Sequence, residues 1–323
     1  MAGVFGHDQD QRRREGIDRD HKAVGYGKKV SLGSLEARIL RVRSAFCEAA
    51  LDAETVTCSF RGRLRRESAD VRAGDLVVLA QKGEDFVIEQ VLPRKNVMVR
   101  PPVANVDQVF VVTAVTQPPI DLTYVDRLLV HLESLDIEGA VCVNKVDVED
   151  PKEVSHLLGI YRKAGYTAIG TSAVSGQGIS DLKCAMQGKT VVLAGASGVG
   201  KSKILAAVTG ADLETGTLSR ASRGRHTTKG VTLYRIGESG FLADTPGFSK
   251  LDVIDCEPSK LGYYYREMAE LVPLCYYPRC LHKTEEPCEV RKAVGEGRIS
   301  AERYRTYLSL LEESQDKERR KYE

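Results

Sequence analysis

The sequence predicts a multidomain chain: a small antiparallel β-barrel, then an α/β domain on a parallel sheet, then a short helical segment with a cysteine cluster. Three observations predict it. Between Leu35 and Pro101, runs of four to eight alternating or apolar residues are separated by glycine and charged turns. From Pro102 onward, apolar runs alternate with amphipathic stretches of helical length. After Leu251, three cysteines and a histidine fall within fourteen residues.

The chain has 323 residues, 42% apolar and 28% charged, which is room for two or three buried cores. Its 47 basic and 45 acidic residues leave a net charge of +2, so bulk charge points to no partner. No apolar run approaches the length of a membrane span, and no membrane partner is expected. The N-terminus lacks the apolar core of a signal peptide, so a cytoplasmic location is expected. Residues 1–34 carry Arg12 to Arg14 and no apolar periodicity, and read as a flexible charged arm or an inert solvated tail.

In residues 35–101, "EARILRVR", "TVTCSFRG", "DLVVLAQKG" and "DFVIEQVL" read as strands. Four or five short strands in so small a region predict an OB-fold barrel. Arg61, Arg63, Arg65 and Arg66 suit a phosphate-backbone surface of an RNA-binding domain, and equally a charge-protected edge strand. Cys47, Cys58, Cys142, Cys184 and Cys256 are scattered singly and are expected as small buried hydrophobes.

In residues 102–254, "VDQVFVVTAV", "EGAVCVNK", "YTAIGTSA", "TVVLAGAS" and "GFLADTPG" read as strands of a doubly wound parallel sheet. "LTYVDRLLVHLESLDI" and "DPKEVSHLLGIYRKAG" read as helices between them. The run Gly195, Ala196, Ser197, Gly198, Val199, Gly200, Lys201, Ser202 matches G-x-x-x-x-G-K-[ST] between a strand and a helix. Its amides would cradle phosphates at a helix N-terminus, Lys201 would meet the β- and γ-phosphates, and Ser202 would hold Mg²⁺.

"NKVD" places Asn144, Lys145 and Asp147 at a strand end. Asp147 can accept from both N1–H and the exocyclic amine of guanine, which adenine does not offer, so an ATP-using kinase is disfavoured. Lys145 would lie along the purine, Asn144 would tie this loop to the phosphate loop, and Ser172 and Ala173 would brace the base. In "DTPG", Asp244 would bind Mg²⁺ through water and the Gly247 amide would sense the γ-phosphate. Between lies "SRASRGRHTTKG", where Thr227 or Thr228 is the second hydroxyl candidate for Mg²⁺. Ras-like enzymes orient the attacking water with a glutamine just after the DxxG glycine, where this chain has Phe248. Turnover unaided should be slow, with His226 the candidate to place the water; the competing reading is an ordinary loop histidine.

Base reader, brace, phosphate loop, threonine segment and DTPG follow one cyclic order with a shifted start. That is a circularly permuted P-loop GTPase. Cys275, Cys280, His282 and Cys288 supply three thiolates and an imidazole, a closed tetrahedral set for one Zn²⁺ per chain. Tyr304, Tyr307, Leu308 and Leu311 then repeat at helical spacing, with a charged end expected to fray.

On these motifs, with "VLPRKNVMVRPPVANVDQV", "GRHTTKG" and "DTPGF", residues 35–311 resemble the small ribosomal subunit biogenesis GTPases, the RsgA or YjeQ family. The resemblance implies an OB-fold domain, a permuted GTPase domain and, over residues 255–323, a zinc domain with a C-terminal helix. It implies an enzyme hydrolysing GTP to GDP, stimulated by the small (30S) subunit and its rRNA during late maturation, with His226 in catalysis; a monomer is expected, though the sequence itself does not give the oligomeric state. The alternative is an RNA-binding GTP switch whose turnover is incidental. Two departures stand out: Lys203 replaces a usual serine, and Lys229 a common third threonine.

Overall fold

The computed structural model describes residues 35–44, 46–60, 70–99, 101–211, 231–244 and 255–321. Five strands close a barrel: β1 (Leu35–Val42), β2 (Cys47–Leu51), β3 (Glu54–Phe60), β4 (Leu76–Lys82) and β5 (Asp85–Val91). Antiparallel pairs β1–β2, β2–β3, β5–β4 and β4–β1 are joined by a parallel β3–β5 pair, an OB-like closure. Ile39, Ala49, Val77, Leu79 and Ile88 fill it.

The sequence patterns missed β2, because "CEAAL" has no β-branched or aromatic residue. Cys47 on this strand is the register partner of Cys58 on β3. Burial pushes the two thiols up to about 12 and about 11, so both stay protonated at neutral pH. Cys142 is also buried, but Cys184 is exposed and Cys256 half-buried, so two of the five single cysteines are not the core residues expected. Cys184 lies on the outer side of a short helix whose Ile179, Leu182 and Met186 take the core face.

A two-stranded ribbon, β6 (Val97–Met98) with β7 (Val103–Ala104), leads out of the barrel. Asn96 exchanges two hydrogen bonds with the Val106 backbone (2.8 and 2.9 Å), and Asn105 donates to Gly74 O (3.0 Å). A Cβ on Gly74 (φ +91°) would lie 2.1 Å from Ala104 O, so only glycine lets the barrel turn meet this ribbon.

The second sheet follows the order β10-β9-β8-β11-β13-β12. Its elements are β8 (Gln108–Thr113), α1 (Leu122–Ser134), β9 (Glu138–Asn144), α2 (Pro151–Lys163), β10 (Thr167–Thr171), α3 (Ile179–Met186), β11 (Thr190–Ala194), α4 (Lys201–Thr209), β12 (Thr232–Ile236) and β13 (Gly240–Asp244). Asp121 and Asp150 cap α1 and α2 by accepting from Tyr124 N and Lys152 N (3.0 and 2.8 Å). Alternate residues of the central strands face opposite layers. Val109, Val111, Val141 and Val143 meet Leu128, Leu129 and Leu132, while Phe110, Val112 and Cys142 meet Leu182, Met186 and Ile204.

The sheet is not wholly parallel as expected. β12 runs antiparallel to β13 because the turn between Ile236 and Gly240 is too short for a crossover. At its outer side β12 meets barrel strand β1, with Thr232 opposite Arg41.

The chain ends with α5 (Arg266–Ala269), α6 (Glu289–Gly295) and α7 (Ala301–Arg320). Ser300 caps α7, accepting from Glu302 N and Arg303 N. Tyr307, Leu310 and Leu311 bury against Leu261, Tyr265, Met268 and Val290. The charged end continues the helix to Arg320, where Ser314 Oγ donates to Cys256 O (3.4 Å) and Lys317 and Lys321 pair with Asp255.

One buried polar cluster joins this segment to the α/β layer. Arg303 on α7 donates to Asp126 of α1 (2.5 Å) and doubly to Glu267 of α5 (2.6 and 3.0 Å). Its guanidinium lies over the rings of Tyr265, Tyr166 and Tyr161 at 4.7, 5.5 and 5.7 Å. No described helix is long and apolar enough to cross a membrane.

Candidate functional site

Strand order reverses between β8 and β11, and ligands of open α/β sheets bind at that point beyond the strand ends. There a cavity of about 790 Å³ opens. Asn144, Lys145 and Asp147 line it at one end beside Ser172 and Ala173. Ser197, Gly198, Gly200, Lys201 and Ser202 line the middle, and Asp244 the far side. Residues distant in sequence thus converge because β9, β10, β11 and β13 all end on the same side.

The phosphate loop needs its glycines. A Cβ on Gly195 (φ +143°) would sit 2.2 Å from Val112 O, and one on Gly200 (φ +97°) 2.3 Å from Asn144 Nδ2. Gly200 is the left-handed cap of α4, so that helix's first amides face the cavity, where its dipole favours an anion. Lys201 Nζ donates to Gly195 O (2.8 Å) and Ala196 O (2.6 Å), and burial lowers its pKa. Gly195, Ala196 and Val199 do not line the cavity; the first two carbonyls accept from Lys201 Nζ, and that of Val199 from Asn144 Nδ2.

Asn144 is 2% exposed and links three segments. Its Nδ2 donates to Val199 O (2.9 Å), and its Oδ1 accepts from Ala173 N and Thr171 Oγ1 (both 3.2 Å). Ser172 is buried and its Oγ accepts from Ser175 N (3.0 Å). Lys145 has a left-handed backbone (φ +69°), and its Nζ donates to Gln117 O (2.6 Å). Asp147 stands exposed at the cavity rim.

At the far side β13 runs parallel to β11, so Asp244 emerges beside the phosphate loop, where Ser202 also lines the cavity. Burial raises the Asp244 pKa, and the charge of Arg41 from the barrel opposes that. His226, Thr227, Thr228 and Gly247 lie outside the described residues, as do Arg61, Arg63, Arg65 and Arg66. Sequence reasoning missed the turn at residues 115–120, which reaches the base-side loop through Gln117 and Thr116. It also missed Lys203 as a lining residue. The turn carries no motif; only Gln-Pro-Pro marks a break in the pattern.

The second cluster lies at the carboxyl-terminal segment. The ligand atoms of Cys275, Cys280, His282 and Cys288 fall within 4.8 Å of one another. Cys275 Sγ is 3.5 Å from His282 Nδ1 and 3.8 Å from Cys288 Sγ, and that nitrogen is 3.4 Å from Cys288 Sγ. A tetrahedral ion bonded at about 2.3 Å to sulfur and about 2.0 Å to nitrogen spaces its ligands about 3.5–3.8 Å apart. The donor set therefore fits zinc. Cys280, His282 and Cys288 are buried and Cys275 is half-buried.

Residues 91–254 match the family model of the RsgA GTPase. The chain is 42% identical over 292 residues to the small ribosomal subunit biogenesis GTPase RsgA of Caldanaerobacter subterraneus subsp. tengcongensis, covering 89% of this chain and 98% of that protein. The chain belongs to the RsgA GTPase family. The RsgA of Moorella thermoacetica is 40% identical, covering 88% of this chain and 99% of its own length. Among solved structures, YjeQ from Thermotoga maritima superposes with a TM-score of 0.74 at 32% identity, over 87% of this chain and 98% of that one. YloQ, a circularly permuted GTPase, gives 0.73 at 30% identity, over 90% and 99%. The fold is thus an OB-like barrel joined to a permuted GTPase domain, and an RsgA GTPase is a GTP hydrolase that uses GTP, GDP and Mg²⁺.

Proposed function

We propose that this GTPase acts in maturation of the small ribosomal subunit, and that the subunit and its rRNA stimulate its turnover. The observation that carries the reading is one cavity in which base-side residues, phosphate-loop residues and Asp244 meet. The relatives named for small-subunit biogenesis support the partner. In this reading Asp147 reads guanine, with Lys145, Ser172 and Ala173 about the base. The loop Gly195 to Ser202 holds the phosphates, and Ser202, Asp244 and Thr227 or Thr228 hold Mg²⁺. Gly247 senses the γ-phosphate and His226 places the attacking water. Cys275, Cys280, His282 and Cys288 hold one Zn²⁺. The working protein is a cytoplasmic monomer of three domains, residues 35–101, 102–254 and 255–323, after a charged arm.

The direct test compares GTP turnover by the protein alone, with small subunits, and with large subunits. Stimulation by the small subunit only is expected; equal rates in all three would overturn the partner. His226→Ala should lower stimulated kcat by about 10²–10⁴ with GTP affinity unchanged. Unchanged kcat would instead favour the RNA-binding switch with incidental turnover. Asp147→Asn should weaken GTP and favour xanthosine triphosphate, because the new amide cannot accept both guanine donors but can donate to the 2-oxo group. Unaltered selectivity in equilibrium binding would remove Asp147 from the base pocket.

A further inference from the structure

The base-side loop is clamped at both ends, and only one clamp belongs to the NKVD motif. Asn144 holds the first end. At the other, Glu149 is 7% exposed, and its carboxylate accepts from Thr116 N (2.9 Å) and from Thr116 Oγ1 through both oxygens (3.0 and 2.9 Å). Among the described residues Glu149 forms no salt bridge. A buried carboxylate held by one residue's amide and hydroxyl costs desolvation that those bonds must offset, so the contact is committed to that residue.

Thr116 belongs to a tight turn closed by an Ile120 N to Val115 O hydrogen bond (3.0 Å) and a Thr116–Pro119 bridge. The next carbonyl in this turn, Gln117 O, receives Lys145 Nζ. Pro118 Cδ then lies 3.9 Å from where a Cβ on Gly198 would be, so the turn also abuts the phosphate loop.

We propose that Glu149 is a positioning residue for guanine recognition, anchoring the 115–120 turn that fixes Lys145 and thereby the aim of Asp147. The inference rests on the base-pocket reading above. A free lysine stem samples many rotamers, whereas one tethered at Nζ lies in a single track. Asp147 is the apex of the clamped loop: Val146 N donates to Thr171 O (3.1 Å) before it, Val148 N to Lys145 O (3.1 Å) after it, and Glu149 closes it.

The test is equilibrium binding of GTP and ITP, which lacks the exocyclic amine, to the full chain, its Glu149→Ala, Thr116→Val and Glu149→Gln variants, and Asp147→Asn as a control. Glu149→Ala should weaken GTP about tenfold and ITP less, narrowing the ratio between them. Thr116→Val, which removes only the hydroxyl, should shift the ratio the same way by less. Glu149→Gln should recover part of it, since an amide oxygen still accepts. A higher KM with kcat on small subunits retained would fit positioning; a lower melting temperature with an unchanged GTP/ITP ratio would overturn it. If Glu149→Ala fails to fold, an unshifted ratio in Thr116→Val overturns the proposal. If Asp147→Asn leaves the ratio unmoved, the base pocket itself is misassigned; if only the Glu149 and Thr116 variants leave it unmoved, this inference alone fails.

Discussion

Arg303→Ala should cost about 3–5 kcal/mol of folding stability, the range found when one partner of a buried ion pair is removed. Arg303 is 1% exposed and faces two carboxylates, Asp126 and Glu267, on different elements. Burial, with the nearby Glu267 charge, raises the Asp126 pKa, and the Arg303 charge is the chief influence opposing it. Without the guanidinium, two acids share a pocket walled by Tyr161, Tyr166 and Tyr265, with a void where the side chain lay. Urea unfolding followed by circular dichroism would give the difference, and a loss below about 1 kcal/mol would mean the buried cluster contributes no more than an exposed ion pair does. A triple variant, Arg303→Met with Asp126→Asn and Glu267→Gln, should recover much of the loss, because no charge then stays buried unpaired.

Removing the proposed zinc should have an effect of similar or greater size, confined at first to the carboxyl-terminal segment. Metal binding to such sites is worth about 10–16 kcal/mol in zinc-finger peptides, because ligation and folding are one event. Three thiols and an imidazole packed within 4.8 Å of one another would carry mutually repelling thiolates unless a cation sits between them. A strong chelator should therefore remove one ion per chain. It should also lower the helical signal and make residues 272–300 cleavable, while the α/β sheet survives. Cys288→Ser should do the same without chelator, since Cys288 also precedes α6 directly. Purified protein without bound metal, with the same melting curve in chelator, would refute a metal-held segment.

Much of this was legible in the sequence where the information is local. The phosphate loop, NKVD and DTPG are short spacings whose chemistry follows from the residues, and the buried strands announce themselves as apolar runs. What stayed hidden depends on partners far along the chain. Arg303 looks like a solvated helix residue until Asp126, 177 positions earlier, is placed against it. Glu149 looks like a surface acid until the turn at Thr116 arrives. β12 escaped because it follows the polar "GRHTTKG" segment and pairs antiparallel through a short turn.

The strand order β10-β9-β8-β11-β13-β12 has a temporal consequence. During synthesis, at about 5–20 residues per second, the guanine-reading half emerges first and the phosphate loop afterwards, the reverse of an unpermuted chain. Strand β8 is apolar on both faces and finds its inner neighbour β11 only when residues 190–194 have been made. A nascent chain that stops before Asp244 therefore has no complete place for the nucleotide. The chain that can first hold GTP has already passed Asp244, with the base-reading half and the phosphate loop both made.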